Sequence, residues 1–153
     1  MIKGVHHIGL SVASVERLSR FYRDVLGFDL VMEMDWEAGT PAGHYCDRII
    51  GLRNSASKVA MVSKGGLIIE LFEYRSPVPK RRPVDWQVSD HGYSHICLQV
   101  EDIDAEYARL RGAGMSFHAP PPEAADGMRA IYGRDPEGNV IELLEIAAAE
   151  VEK

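Results

Sequence analysis

The sequence predicts an α+β fold in which one β-α-β-β-β module is run twice, and three observations carry that expectation. Residues 5–12, VHHIGLSV, match residues 93–100, YSHICLQV, and residues 66–74, GLIIELFEY, match residues 138–146, GNVIELLEI, in the same order. Repetition of this kind marks a duplicated unit. Between its matched ends each half carries one stretch of helical periodicity, then short apolar segments bounded by turn residues. The 153 residues, 46% hydrophobic and 26% charged, suit a globular chain able to bury a core without staples.

Taken in order, the first strand, 5–12, is followed by SVERLSRFYRDVLGF, where Val15, Leu18, Tyr22, Val25 and Leu26 recur at helical spacing. Ser14 is the expected N-cap, Glu16 suits the first turn, and Gly27 marks the helix end. Strands are expected at 28–34, 58–63 and 67–74, with a turn at Lys64-Gly65-Gly66. The insert at 35–57 has mixed signals and no assigned structure. In the second half EDIDAEYARLRGAG places Ile103, Tyr107 and Leu110 on one helix face, with Asp102 and Asp104 at its start and Gly112 and Gly114 beyond its end. Strands follow at 115–118, 128–133 and 139–146, and Asp135-Pro136-Glu137-Gly138 has Pro and Gly where a tight turn needs them. The chain is thus read as one domain, 1–153, with module 1 at 1–74, a Pro- and Arg-rich linker at 75–92, module 2 at 93–146, and a frayed helical tail at 147–153.

Composition narrows the function classes. A formal charge of −6 and a pI near 5.5 disfavour nucleic acid and anionic membranes as partners. Cys46 and Cys97 are far apart and in no CxxC arrangement, which argues against a disulfide framework or a thiolate zinc site and fits a reducing compartment. MIKGVHHIGL has no signal-peptide pattern, and no apolar run approaches the ~18 residues of a membrane span. A cytoplasmic protein that handles a small molecule is the expectation.

Strand alternation places the polar groups. In the first strand Ile8, Leu10 and Val12 share one face and His7, Gly9 and Ser11 the other; Ile96, Leu98 and Val100 oppose His95, Cys97 and Gln99 in its partner. The apolar faces belong under the helices, and the histidine faces suit a cavity. Glu70 alternates with Ile68 and Phe72, and Glu142 with Val140 and Leu144. A carboxylate flanked by apolar residues is costly unless it is paired or meets a cation. Two imidazoles and two carboxylates make an N₂O₂ set whose charge one divalent ion neutralises: Ni, Co, Zn, Mn or Fe with open positions. His7, Glu70, His95 and Glu142 are therefore the candidate metal ligands. His6, one step from His7, is expected on the opposite face in a packed or supporting role.

HHIGLSV with FYRDVLGF, SHICLQVEDID and RDPEGNVIELLE resemble the vicinal oxygen chelate superfamily, which includes glyoxalase I, methylmalonyl-CoA epimerase, extradiol dioxygenases and bleomycin- or fosfomycin-resistance proteins. The resemblance covers residues 4–146. It implies two tandem βαβββ modules forming a cup-shaped mixed β-sheet with helices on the outer face, a metal inside the cup, and a homodimer. The His-Glu-His-Glu pattern looks most like glyoxalase I, with the epimerases next. Extradiol dioxygenases and fosfomycin-resistance enzymes resemble two-His-one-carboxylate sites that need no ligand at the Glu70 position.

What the resemblance implies is a metal-dependent lyase or isomerase that abstracts a proton next to a carbonyl through a metal-stabilised enediolate, with Glu142 as the mobile base and Glu70 next. The substrate is then a thioester, a hemithioacetal or another oxygen chelator. Tyr45, Arg48, Cys97, Arg129 and Tyr132 are the candidate substrate contacts. The lysine-glycine loop with which glyoxalase I holds glutathione has no lysine in the corresponding EAADGMRA, although Arg129 is at hand. The alternatives are an Fe(II) extradiol-type dioxygenase and a non-catalytic protein that sequesters a drug-like molecule.

Overall fold

The computed structural model describes residues 1–83 and 86–147. The chain divides into two compact units, Met1–Arg82 and Pro83–Lys153. The division falls inside the stretch read as a linker, although the last strand of the first unit extends two residues into that stretch. Of the tail read at 147–153, all but Ala147 lies outside the described residues.

In the first unit β1 (Ile8–Ser11), β2 (Asp29–Trp36), β3 (Ala56–Lys64) and β4 (Leu67–Ser76) form a four-stranded mixed sheet in the order β1-β4-β3-β2. β1 runs parallel to β4, and the other neighbours are antiparallel. Helix α1 (Val15–Asp24) makes the crossover that a parallel pair requires. The expected cap is formed: Ser14 Oγ accepts from the Arg17 amide at 3.3 Å. A carboxylate from the sheet adds to it, Glu73 Oε2 accepting from the Val15 amide at 2.9 Å. At the far end Gly27 turns the chain with φ +70°, and Lys64 Nζ donates to the Leu26 carbonyl at 2.6 Å.

The buried face of α1, Val15, Leu18, Phe21 and Tyr22, packs over β3 and β4, where Ala60, Val62, Ile69 and Leu71 are closed off from solvent. Leu26 and Phe28 complete this core. The helix face predicted from periodicity is the face that is buried, because burial of that stripe is what stabilises a helix of this length.

The unassigned insert contains a helix, α2 (Pro41–Ile50), with Thr40 as N-cap, Pro at its first turn and Gly51 in the left-handed region at its end. Gly43 is its one buried residue. It is anchored instead through polar groups: Asp47 accepts from the amides of Asn54 and Ser55 at 2.8 and 2.9 Å, and Trp36 Nε1 donates to Ser55 Oγ at 2.9 Å.

The second unit repeats the topology. β5 (His95–Val100), β6 (Ser116–Phe117), β7 (Met128–Arg134) and β8 (Val140–Ile146) lie in the order β5-β8-β7-β6, with β5 parallel to β8. Helix α3 (Ile103–Gly112) is capped by Asp102, which accepts from Ala105, and packs against β8 through a core of Ile103, Leu110, Ile141 and Leu143. The Asp135–Gly138 turn forms as expected, with the Gly138 amide donating to the Asp135 carbonyl at 2.9 Å. The architecture is therefore α+β, with two four-stranded mixed sheets of identical order.

Candidate metal centre

The repeat places one histidine and one glutamate together in each unit, by the same register. In the first, Glu70 pairs across the parallel β1–β4 ladder with Gly9, and His7 lies two residues upstream of Gly9. In the second, Glu142 pairs with Cys97, and His95 lies two residues upstream of Cys97. A two-residue offset keeps each histidine on the face of its glutamate. The result is His7 Nε2 at 3.0 Å from Glu70 Oε2 and His95 Nε2 at 3.2 Å from Glu142 Oε2. Both glutamates are partly buried, with side chains 14% and 18% exposed.

This donor chemistry fits a divalent cation. Two ligand atoms at about 2.1 Å from an ion and at right angles to each other lie about 3 Å apart, which is the separation each pair already has. Imidazole nitrogen with carboxylate oxygen is a set that Zn, Ni, Co, Mn or Fe accepts. Among the described residues no group of three or more His, Cys, Asp or Glu side chains is gathered as a metal site; each unit by itself presents one His–Glu pair.

The two pairs differ in their surroundings. Next to Glu70, Gly9 leaves room that the Phe72 ring fills, and a Cβ there would touch that ring at 3.4 Å. Met61 stands opposite Glu70 on β3. Phe72 stacks on Tyr74 at 5.5 Å and 9°, and Trp36 meets both rings edge-on. Burial, the Glu70 charge and the nearby Cys46 hold the Tyr74 hydroxyl above its usual pKa.

Glu142 has polar neighbours instead. Tyr132 stands opposite it on β7, with its hydroxyl 3.3 Å from His95 Nε2 and its ring 4.6 Å from the imidazole. Loss of hydration, the Glu142 carboxylate and the Cys97 thiol raise the Tyr132 pKa. Cys97 hydrogen-bonds to Glu142, and burial, the Glu142 charge and that bond push its thiol up to about 11. Both groups stand beside a carboxylate whose charge disfavours their ionisation.

The structure therefore brings Cys97 and Tyr132 to the His95–Glu142 pair. It places Arg129 elsewhere. In the β7–β8 register Arg129 pairs with Glu145, on the opposite face from Tyr132 and Glu142. Its guanidinium is bidentate to Asp104 at 2.6 and 3.0 Å and donates to the Pro122 carbonyl at 3.0 Å, tying the sheet to the start of α3. Parity along 128–134 is the signal that separates Arg129 from Tyr132. Tyr45 and Arg48 lie on exposed positions of α2, where Arg48 borders a surface depression with His44, Asp47 and Arg53.

Two groups stand beside the histidines, His6, for which a packed or supporting role was expected, and Ser94, which the sequence did not single out. His6, expected on the opposite face, puts its Nδ1 at 2.8 Å from His7 Nδ1. Ser94 Oγ is 2.8 Å from His95 Nδ1. The signal was in the repeat, since both residues immediately precede a matched histidine.

Comparison with known proteins agrees with this architecture. The model of the Glyoxalase/Bleomycin resistance protein/Dioxygenase superfamily matches residues 4–143. The 2-epi-5-epi-valiolone epimerase of Actinomyces sp is 29% identical over 151 residues, covering 94% of this chain and 80% of its own. The metallothiol transferase FosB of Staphylococcus haemolyticus is 25% identical over 94% of this chain and 84% of its own. The lactoylglutathione lyase of Haemophilus influenzae is 26% identical over 91% and 90%. A glyoxalase family protein from Bacillus cereus shares the fold with a TM-score of 0.85 at 24% identity, over 97% of both chains.

Proposed function

We propose, for a chain that belongs to the Glyoxalase/Bleomycin resistance protein/Dioxygenase superfamily, that it is a divalent-metal-dependent lyase or isomerase that moves a proton at a carbon next to a carbonyl. The observation that carries this reading is the twice-repeated His–Glu pair, at 3.0 and 3.2 Å in the same register. His7, Glu70, His95 and Glu142 supply the ligands.

The ion, when bound, acts as a Lewis acid on the oxygens of a small substrate that chelates through two of them. Glu142 is the base. Its carboxylate removes the proton and returns it to the same or a neighbouring carbon. The Cys97 thiol, hydrogen-bonded to Glu142, and the Tyr132 hydroxyl, 3.3 Å from His95 Nε2, are hydrogen-bond donors at hand for that carboxylate and for a substrate oxygen. Beside Glu70, Phe72, Tyr74 and Trp36 form an aromatic wall. The epimerase and lyase relatives support proton transfer as the reaction class.

The test is solvent-deuterium incorporation with α-hydroxy-thioester and hemithioacetal substrates, on wild type and Glu142→Gln. Deuterium should enter the wild-type product, and Glu142→Gln should abolish turnover while weakening metal binding only in part. A product without deuterium would sink the proton-transfer reading.

The transferase relative favours a second reading, group transfer at a site that does not need Glu70. Glu70→Ala separates the two, because only the second reading leaves metal and activity in place.

A further inference from the structure

We propose that His6 and Ser94 are positioning residues that accept the Nδ1 protons of His7 and His95, and so aim both Nε2 atoms as metal donors. The inference rests on the metal reading above. In each unit the residue immediately before the ligand histidine sits 2.8 Å from its Nδ1, while Nε2 points to the unit's glutamate at 3.0 or 3.2 Å. The two ends of each ring are thus differently committed.

A neutral imidazole has one N–H and one lone pair. With the proton on Nε2, the ring donates to its glutamate and has no lone pair there for an ion. With the proton on Nδ1, the Nε2 lone pair faces a carboxylate oxygen, and a cation between the two relieves the repulsion of their lone pairs; on His95 the Tyr132 hydroxyl, 3.3 Å away, is a further neighbour of that lone pair. A good acceptor at Nδ1 favours the second arrangement and makes the pair a better grip for a cation. Partners of this kind orient the ring and raise its basicity as a ligand.

Adjacent side chains in a strand point to opposite faces, so neighbouring residues cannot normally pair. Here they do because His7 lies one residue ahead of β1 and His95 is the first residue of β5. At those positions the preceding residue is outside the ladder and able to fold back. His6 meets His7 edge-on at 5.1 Å and 87°, which fixes the plane of the ring as well as its proton. The two modules use different chemistry, an imidazole and a hydroxyl, at the same place in the repeat.

The experiment is Zn(II) titration of the full chain with NMR observation of the imidazole N–H protons. Zn(II)-loaded wild type should show two exchange-protected Nδ1–H resonances. His6→Ala should lose the first and Ser94→Ala the second, each with roughly 10-fold weaker Zn(II) binding, the lower end of the range for such partners. His6→Asn, which supplies an oxygen acceptor in place of the imidazole nitrogen, and Ser94→Thr, which keeps the hydroxyl, should restore affinity and resonance. Alanine variants that bind Zn(II) as wild type does, with both resonances protected, would overturn the inference while leaving the metal reading intact. A wild-type chain that takes up no Zn(II) would overturn the metal reading and the role assigned to both residues with it.

Discussion

At the scale of single residues, two positions show how local chemistry constrains this chain. Gly133 on β7 lies under Phe117 and Met115, so a Cβ there would stand 2.5 and 2.8 Å from their side chains. Gly133→Ala should cost about 1–3 kcal/mol by overpacking, read as a lower denaturant midpoint with an unchanged m-value. Asp135 is 4% exposed and accepts from the Glu137 and Asn139 amides and from Asn139 Nδ2. Burial raises its pKa, and those hydrogen bonds offset the rise only in part. A raised native pKa means that its contribution to stability is fully present below the ordinary carboxylate value and is lost as pH rises through the native one. Asp135→Asn removes the titration and keeps an oxygen for both amides. The Tm of wild type relative to this variant should therefore fall as pH rises above the ordinary carboxylate value; a rise there would contradict the assignment.

At the scale of elements, the first helix depends on its ends. Ser14 and Glu73 together satisfy amides that a helix leaves unpaired at its start. Ser14→Ala should remove about 1 kcal/mol, or roughly 2–4 °C in Tm for a chain of this size. A second helix, α2, shows the opposite case. Its Gly43 lies so close to the Glu37 carbonyl that any Cβ would collide with backbone, which cannot yield as a side chain does. The helices at 15–24 and 103–112 were legible because each buries one periodic stripe. The helix at 41–50 is unassigned from the sequence, although Thr40, Pro41 and Gly51 mark its ends; in the fold polar anchors hold it and Gly43 is its one buried residue.

At the scale of the whole molecule, duplication gives a prediction that no single residue does. If the two pairs serve one ion, deleting either should lose it. Wild type purified without chelator should carry about one divalent ion per chain, and His7→Ala with Glu70→Ala should remove it as completely as His95→Ala with Glu142→Ala. Retention of metal by the first double variant alone would point to a site built on His95 and Glu142 without the first pair. Metal analysis by mass spectrometry reads both outcomes.

Sequence by itself determined the α+β class, the duplicated module, the caps of two helices and the four candidate ligands, because period-two and helical patterning and repeated motifs are local properties. It also placed Cys97 on the histidine face of its strand. Tertiary structure decided the rest. Strand register set which residue stands opposite which, bringing Tyr132 to Glu142 and turning Arg129 toward Asp104 on the other face. The strand starts decided that His6 and Ser94 fold back onto their neighbours, against the alternation a continuous strand would impose. Where a side chain meets another across a ladder, the answer lies in pairing between distant segments, which no local pattern records.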